Sequence, residues 1–553
     1  MSGYKKLFNI EAFIPNPADL ENLAQFMTRT YKFFDVPPPL IESIQPAADL
    51  GNFNLPESMS EILELLDKDL QDSGIPAGYS YLGQFILHDI SFDEKTDRFE
   101  KTHYPWNSPA QPIKNLRKPF LDLETIYGPE EKPESRLLEE HSSRLRLGNT
   151  FKNTSAIPGA LLSERSFPND LLRKENNVEA DIIDPRNDGN LLLAQTQVAF
   201  TKFHNAIVYK LGNPNSMAVF EKARKMTIRH YQYIILTDFL PRVVQGGKTA
   251  IDKIVYEVQN GVNKFYHPTK DDMFVPLEFV VGAYRTAHSM IRHTYNLNKE
   301  VNNREATLMN LFLFTGRGAM HRTDRKKLPS RWIVNWKWFY DIDNSKFTET
   351  SFNFARKIDT NLSAALGILF PGGKESRANS LSSLDLYRGV AWGLPTGQAL
   401  AKEMRTIDPE IRVLTSEQIE SKFDKSLIPG QPIFTVLDAA QRKFFTENTP
   451  LLFYLLAEAE EQCEGETLGD VGSRIVAETL VKLIYETPDS ILKKGQELES
   501  DKDFLPNNSE VFEMLGTEDK KTFGMPEMLK FIAKSRKKFA VIGEDFNELN
   551  PLG

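Results

Sequence analysis

A mainly α-helical fold, built as one large domain with little β-structure, is what the sequence predicts. Apolar residues recur at helical spacing in long runs, over 79–90, 191–211, 227–240 and 278–293. Sustained alternation of period two, the mark of a half-buried strand, is scarce. No low-complexity linker and no fixed-period repeat divides the 553 residues.

Composition excludes several classes. Hydrophobic residues make up 41% and charged residues 26%, ordinary for a soluble globular chain. A formal net charge of −9 offers no basic footprint for nucleic acid or an anionic membrane. No stretch approaches the roughly 18 uninterrupted apolar residues of a membrane span. The opening Met1-Ser2-Gly3-Tyr4-Lys5-Lys6-Leu7 lacks the apolar run of a signal peptide. Cys463 is the single cysteine, so no intrachain disulfide forms. These features lead us to expect a cytoplasmic protein.

In chain order, residues 1–75 read as a helical arm packed on the main body. It has helix-like runs over 20–34 and 59–70, with a breaker at Pro37-Pro38-Pro39. The helix over 79–90 carries Gln84 and His88 at i and i+4, so both project from one face, with Asp89 turned aside. A proline-rich irregular connection covers 95–120. Residues 118–128 alternate oxygen-bearing side chains, a spacing that suits a hard cation such as calcium as well as it suits acids facing solvent.

Arg186, held by Pro185, stands just ahead of the helix over 191–211, for which Asp188, Gly189 and Asn190 are all candidate N-caps. His204 within it reads as a structural core histidine. The run 227–240 reads as a core helix ending at Pro241. In the helix over 278–293, Arg285 and His288 share a face, whereas His293 lies about 140° round from His288 at roughly 100° per residue. The aromatics of 332–340 read as packing. Asp385 and Arg388 stand at i, i+3 ahead of a Gly-Leu-Pro turn, either as a working pair or as a solvated ion pair. Two further helices open near Thr449-Pro450 and Gly472. We place the main domain at 76–500 and a C-terminal helical extension at 501–553.

Four separated segments thus offer a His with Gln, an Arg at a helix entrance, a His with Arg, and an Asp with Arg. That is the inventory of a haem site: a histidine for iron, another for protons, and arginines for carboxylates and developing charge. On these motifs the chain resembles the animal-type haem peroxidase superfamily, the peroxidase–cyclooxygenase superfamily, and in particular its bacterial, disulfide-poor branch. The likeness runs from about residue 75 to about 500. It implies that His88 is the distal histidine with Gln84 its companion, Arg186 the distal arginine and His288 the proximal iron ligand. It further implies that Arg285 and Arg388 contact the haem propionates and that Asp385 pairs with His288.

The chain also departs from the family. Asp385 replaces an Asn, which implies a more anionic proximal ligand and a lower reduction potential. Leu87 and Gly189 stand where ester-forming Asp and Glu would be, and Asn190 replaces a Met, so the implied haem is non-covalent haem b. In the family's calcium loop, Asp89, the Phe120 carbonyl, Asp122 and Glu124 match, but Lys118 replaces a Thr and brings a positive charge of its own. Calcium is therefore expected only as an alternative to that charge. The dioxygenase branch uses a Tyr three residues before the proximal His; here that place holds Arg285, with Tyr284 one residue earlier.

The resemblance implies a peroxidase, or a peroxide-driven oxidase or oxygenase, acting on hydrogen peroxide and a small organic reductant. The alternatives are a haem-dependent dioxygenase of the cyclooxygenase or fatty-acid type and a non-catalytic haem-binding scaffold.

Overall fold

The helix Leu191–Leu211 lies at the centre of the core. Asn190 opens it by accepting the Leu193 amide hydrogen on its side chain, a cap that contributes about 1 kcal/mol, and Gly212 at φ 70° closes it. Residues 191–208 are all buried, so this helix is covered on every side. Against it pack Gly78–Ile90, Met217–Ile234 and Met525–Phe539. The contacts are aromatic: Phe85 stacks on Phe200 at 5.2 Å, Tyr231 meets Phe200 edge-on at 5.5 Å, and Phe531 meets Phe203 at 5.6 Å. Each such pair contributes about 0.5–1.5 kcal/mol beyond area burial.

This computed structural model describes residues 3–28, 67, 70–93, 114–129, 135–151, 166–175, 179–269, 272–316, 327–367, 380–423, 436–493 and 523–539. The architecture is mainly α-helical, as the periodicity predicts. Among the described residues, strands form only two short two-stranded sheets. Gly3–Lys5 pairs in parallel with Phe274–Pro276, placing Tyr4 opposite Val275. Asp72–Pro76 runs antiparallel to Phe354–Arg356. No described helix is long and apolar enough to cross a membrane.

Some elements differ from the sequence reading. The first helix spans Pro17–Thr28, and the rest of the 20–34 run, Pro37-Pro38-Pro39, nearly all of 59–70 and the prolines of 95–113 lie outside the described residues. Pro241 does not end its helix. A π-helical turn, Ile235–Phe239, intervenes, and the helix resumes at Leu240–Val243 with Pro241 in its first turn, where a missing N–H is tolerated. The segment 278–293 is not an α-helix: a π turn over Glu278–Gly282 passes into a 3-10 helix over Ala283–His288. His293 lies beyond it, so its angular offset from His288 has no meaning.

Candidate functional site

The first half of the site is built where Gly78–Ile90 meets the turn before Leu191–Leu211. His88, buried near the C-terminal end of its helix, has Nδ1 2.8 Å from Asn187 Oδ1. Asn187 is fully buried and donates its two amide hydrogens to Thr125 Oγ1 and Gln197 Oε1, both at 2.8 Å. The turn carrying it is a 3-10 helix, Pro185–Asp188, capped by Asp184.

Asp184 holds Arg186 by three bonds, from the backbone N and Nε at 3.0 Å each and from Nη2 at 2.6 Å. Nη2 also donates to the carbonyl of His88 at 3.0 Å, and the guanidinium lies 4.4 Å from the Phe92 ring centre. Burial works to raise the pKa of Asp184, but Arg186 foremost, then His88 and Arg117, outweigh it and hold the carboxyl well below the usual range. Gln84 accepts from Asn190 Nδ2 at 3.1 Å, which ties it to the cap of the central helix.

The second half comes from the irregular segment. The change from π to 3-10 falls at Gly282, where a Cβ would stand 2.8 Å from Leu451 Cδ2. In a 3-10 helix residues i and i+3 eclipse, so Arg285 and His288 share a face. His288 Nδ1 lies 2.5 Å from Oδ2 of buried Asp385, which the helix Leu381–Ala391 presents. The other oxygen, Oδ1, lies 3.9 Å from Arg285 Nε and accepts no hydrogen bond among the described residues. Burial opposes ionisation of Asp385, yet His288, then Arg285 and Arg388, hold its pKa down. The pair is therefore not a solvated one.

Arg285 links the halves. Its pKa is pushed down to about 10, by burial first and then by the like charges of Arg388 and Arg186, against the pull of Asp385. Arg285 thus feels the like charges of Arg186 and Arg388 together with the opposite charge of Asp385. Tyr4, from the N-terminal strand, feels two of these arginines. Burial and Asp93 raise its pKa while Arg186 and Arg285 oppose them, and its ring lies 5.3 Å from that of Trp392.

This donor set fits haem. Each of two imidazoles has its Nδ1 against a protein acceptor, and Arg285 is acted on by the like charges of Arg388 and Arg186, where an anionic group would be stabilised. Leu87 and Gly189 offer no carboxylate for an ester: Leu87 is apolar, and at Gly189 a Cβ would stand 2.7 Å from the carbonyl oxygen of Arg186.

In the loop for which calcium is an expectation, the carboxylates bond within the chain. Asp89 accepts the backbone N–H groups of Leu123 and Thr125, at 3.0 and 3.2 Å, and Asp122 accepts that of Glu124 at 3.2 Å. Arg117 binds Glu124 at 3.1 Å and Asp184 at 2.9 Å. Phe120, half-buried, donates its amide hydrogen to the carbonyl of Lys118. Burial and the neighbouring Asp122 raise the pKa of Asp89 well above its usual range, and burial and Glu124 raise that of Asp122 to about 6. Among the described residues no group of three or more His, Cys, Asp and Glu side chains comes together to hold a metal. The resident cation is Arg117 rather than Lys118, whose ammonium acts only as a minor charge on Asp122.

Residues 97–396 match the family model described as animal haem peroxidase. The chain belongs to the animal haem peroxidase family. Arg186, Arg285, His288, Asp385 and Arg388 lie inside the matched stretch, and His88 just precedes it. A curated relative, the peroxidase-like protein of Margaritifera margaritifera, is 25% identical over 193 residues, 33% of this chain and 22% of that protein. Two solved structures are similar at 14% identity. Peroxidase A from Dictyostelium discoideum covers 87% of this chain and 91% of its own, with a TM-score of 0.48. The Oryza sativa fatty acid alpha-dioxygenase covers 94% of each, with a TM-score of 0.49.

The superfamily is thereby shown, and nothing in these matches points to its bacterial branch in particular. In this chain, sequence reasoning pairs His288 with Asp385 and sets Arg186 beside the helix of His88. It missed Asn187, Asp184, Arg117 and Tyr4. The Asp-Pro dipeptide ahead of Arg186 was the available signal for Asp184, since Asp readily caps a turn that Pro opens. His204 is structural as expected, bonded to Tyr127 and to the Ser143 carbonyl at 3.0 Å each, and burial lowers its pKa to about 4.

Proposed function

We propose that this chain is a haem b-dependent oxidoreductase that cleaves hydrogen peroxide between His88 and Arg186 and oxidises a small organic substrate. The observation that supports this reading is the pairing of both histidines through Nδ1, His88 with Asn187 and His288 with Asp385, with Arg186 and Arg388 both near enough to act on Arg285. His288 Nε2 is the atom for iron, and Arg285 and Arg388 are the partners for the propionates. Leu87 and Gly189 leave the haem without ester links. When bound, haem supplies the iron at which the peroxide O–O bond breaks.

The protein's own share is proton and charge management. His88 takes a proton from the inner peroxide oxygen and delivers it to the outer one, which a single imidazole does in turn. Arg186, locked by Asp184, sets a fixed positive charge beside the oxygen that leaves. Asp385 draws on the Nδ1 hydrogen of His288 and so makes Nε2 a stronger electron donor. In stopped flow with hydrogen peroxide, the haem-loaded His88→Ala and Arg186→Lys variants should each react about 10²–10³-fold more slowly than wild type. Unchanged rates in both would defeat the assignment.

One observation favours a second reading, a haem-dependent dioxygenase. The hydroxyl of Tyr284 is buried and has no hydrogen-bond partner among the described residues, so no structural bond accounts for it. Uptake of molecular oxygen with a fatty acid and no added peroxide, lost in Tyr284→Phe, would select this reading. Its absence would select peroxide.

A further inference from the structure

Asn187 has no counterpart among the residues that the sequence singles out, yet it is the residue that touches the imidazole of His88. Its amide is held from both sides. Nδ2 donates to Thr125 Oγ1, on the short helix Glu124–Tyr127, and to Gln197 Oε1, on the central helix, each at 2.8 Å. With Gln197 as it stands, a flipped amide would set two oxygens, Oδ1 of Asn187 and Oε1 of Gln197, against each other without a hydrogen between them. In this orientation Oδ1 faces Nδ1 of His88 at 2.8 Å.

A carboxamide oxygen only accepts. The hydrogen of that bond must come from the imidazole, so the neutral ring carries its proton on Nδ1 and its lone pair on Nε2. The opposite tautomer leaves two acceptors face to face in a buried place, at the cost of a lost hydrogen bond. We propose that Asn187 is a positioning residue that fixes His88 as the Nδ1–H tautomer and so reserves Nε2 for taking a proton. The inference rests on His88 acting as proton acceptor, but the tautomer itself does not depend on haem.

The anchor also explains the burial around it. Asn187 lies in a 3-10 turn capped by Asp184, the same turn that sets Arg186, so one four-residue element aims both the charge and the acceptor. Thr125 and Gln197 tie that element to two separate helices, which keeps the bond to His88 from following the motion of either one.

The test is nitrogen-15 NMR of histidine-labelled protein, with and without haem, in wild type, Asn187→Leu and Asn187→Asp. The His88 signals, among nine histidines, are identified by their loss in His88→Gln. Wild type and Asn187→Asp, which keeps an acceptor oxygen, should both show a protonated Nδ1, with Nε2 unprotonated in wild type. Asn187→Leu should populate the Nε2–H form and react with hydrogen peroxide about 10²-fold more slowly when haem-loaded. Asn187→Asp should stay within about tenfold of wild type. A wild-type-like tautomer and rate in Asn187→Leu would overturn the proposal. Should Asn187→Leu fail to fold by thermal melt, loss of the Nδ1–H form in Asn187→Asp would overturn it just as well. A protein that takes up no haem yet shows the predicted tautomers would refute the peroxide reading and leave the positioning role standing.

Discussion

Arg117 and Asp184 form an ion pair of 2.9 Å sealed from solvent, and the same guanidinium holds Glu124 at 3.1 Å. Asp184 in turn grips Arg186, so a charge that never meets the site governs one that does. The loop after His88 is thereby held by a side chain, in a place where a metal ion was the alternative.

Removing Arg117 should be costly. Arg117→Ala leaves the carboxylate of Glu124 buried without its cation and Asp184 with Arg186 alone, and breaking such a buried pair typically destabilises by about 3–5 kcal/mol. Urea denaturation of the variant measures this, and a loss under about 1 kcal/mol would show that the pair is not what holds the loop. A calcium chelator should leave the melting temperature of wild type unchanged.

Asp184 gives a pH dependence with a definite sign. Its folded-state pKa is depressed, with burial opposed and overcome by Arg186, His88 and Arg117. The unfolded chain therefore binds the proton first, and the stability that Asp184 contributes is complete above its unfolded value of about 3.9 and lost as pH falls through the folded one. The stability gap between wild type and Asp184→Asn should be flat above pH about 5 and should narrow below about 4. A gap that widens on acidification would contradict the sign.

Gly189 is required by space rather than by φ. An added Cβ would stand 2.7 Å from the Arg186 carbonyl oxygen. Gly189→Ala should cost about 1–3 kcal/mol in a denaturation curve, as forced backbone shifts do. A neutral result would mean that the turn holding Arg186 relaxes freely, and that an ester-forming glutamate at this place is open to the chain.

The helical framework was legible because apolar spacing reports burial. The helix over 191–211 has the bounds that its pattern predicts, and Asn190, one of three cap candidates, is the residue that caps it. The segment 278–293 was misread for a physical reason: π and 3-10 turns keep much the same apolar stripe as an α-helix over one or two turns, so periodicity cannot separate them. The histidines and arginines stood out because polar groups in apolar runs need a cause. Asn187, Asp184 and Arg117 did not, because a residue that satisfies another through space leaves no periodic trace in its own segment. Lys118 drew attention by standing out of pattern, while its neighbour Arg117 carries the buried charge.

The visible absorption spectrum of the protein purified after expression with ample haem tests the central claim most directly. A site closed by His288 and lacking ester partners at Leu87 and Gly189 predicts a Soret band that acid–acetone extracts and that His288→Ala loses. A protein without a Soret band, or one whose band persists in His288→Ala, would contradict it.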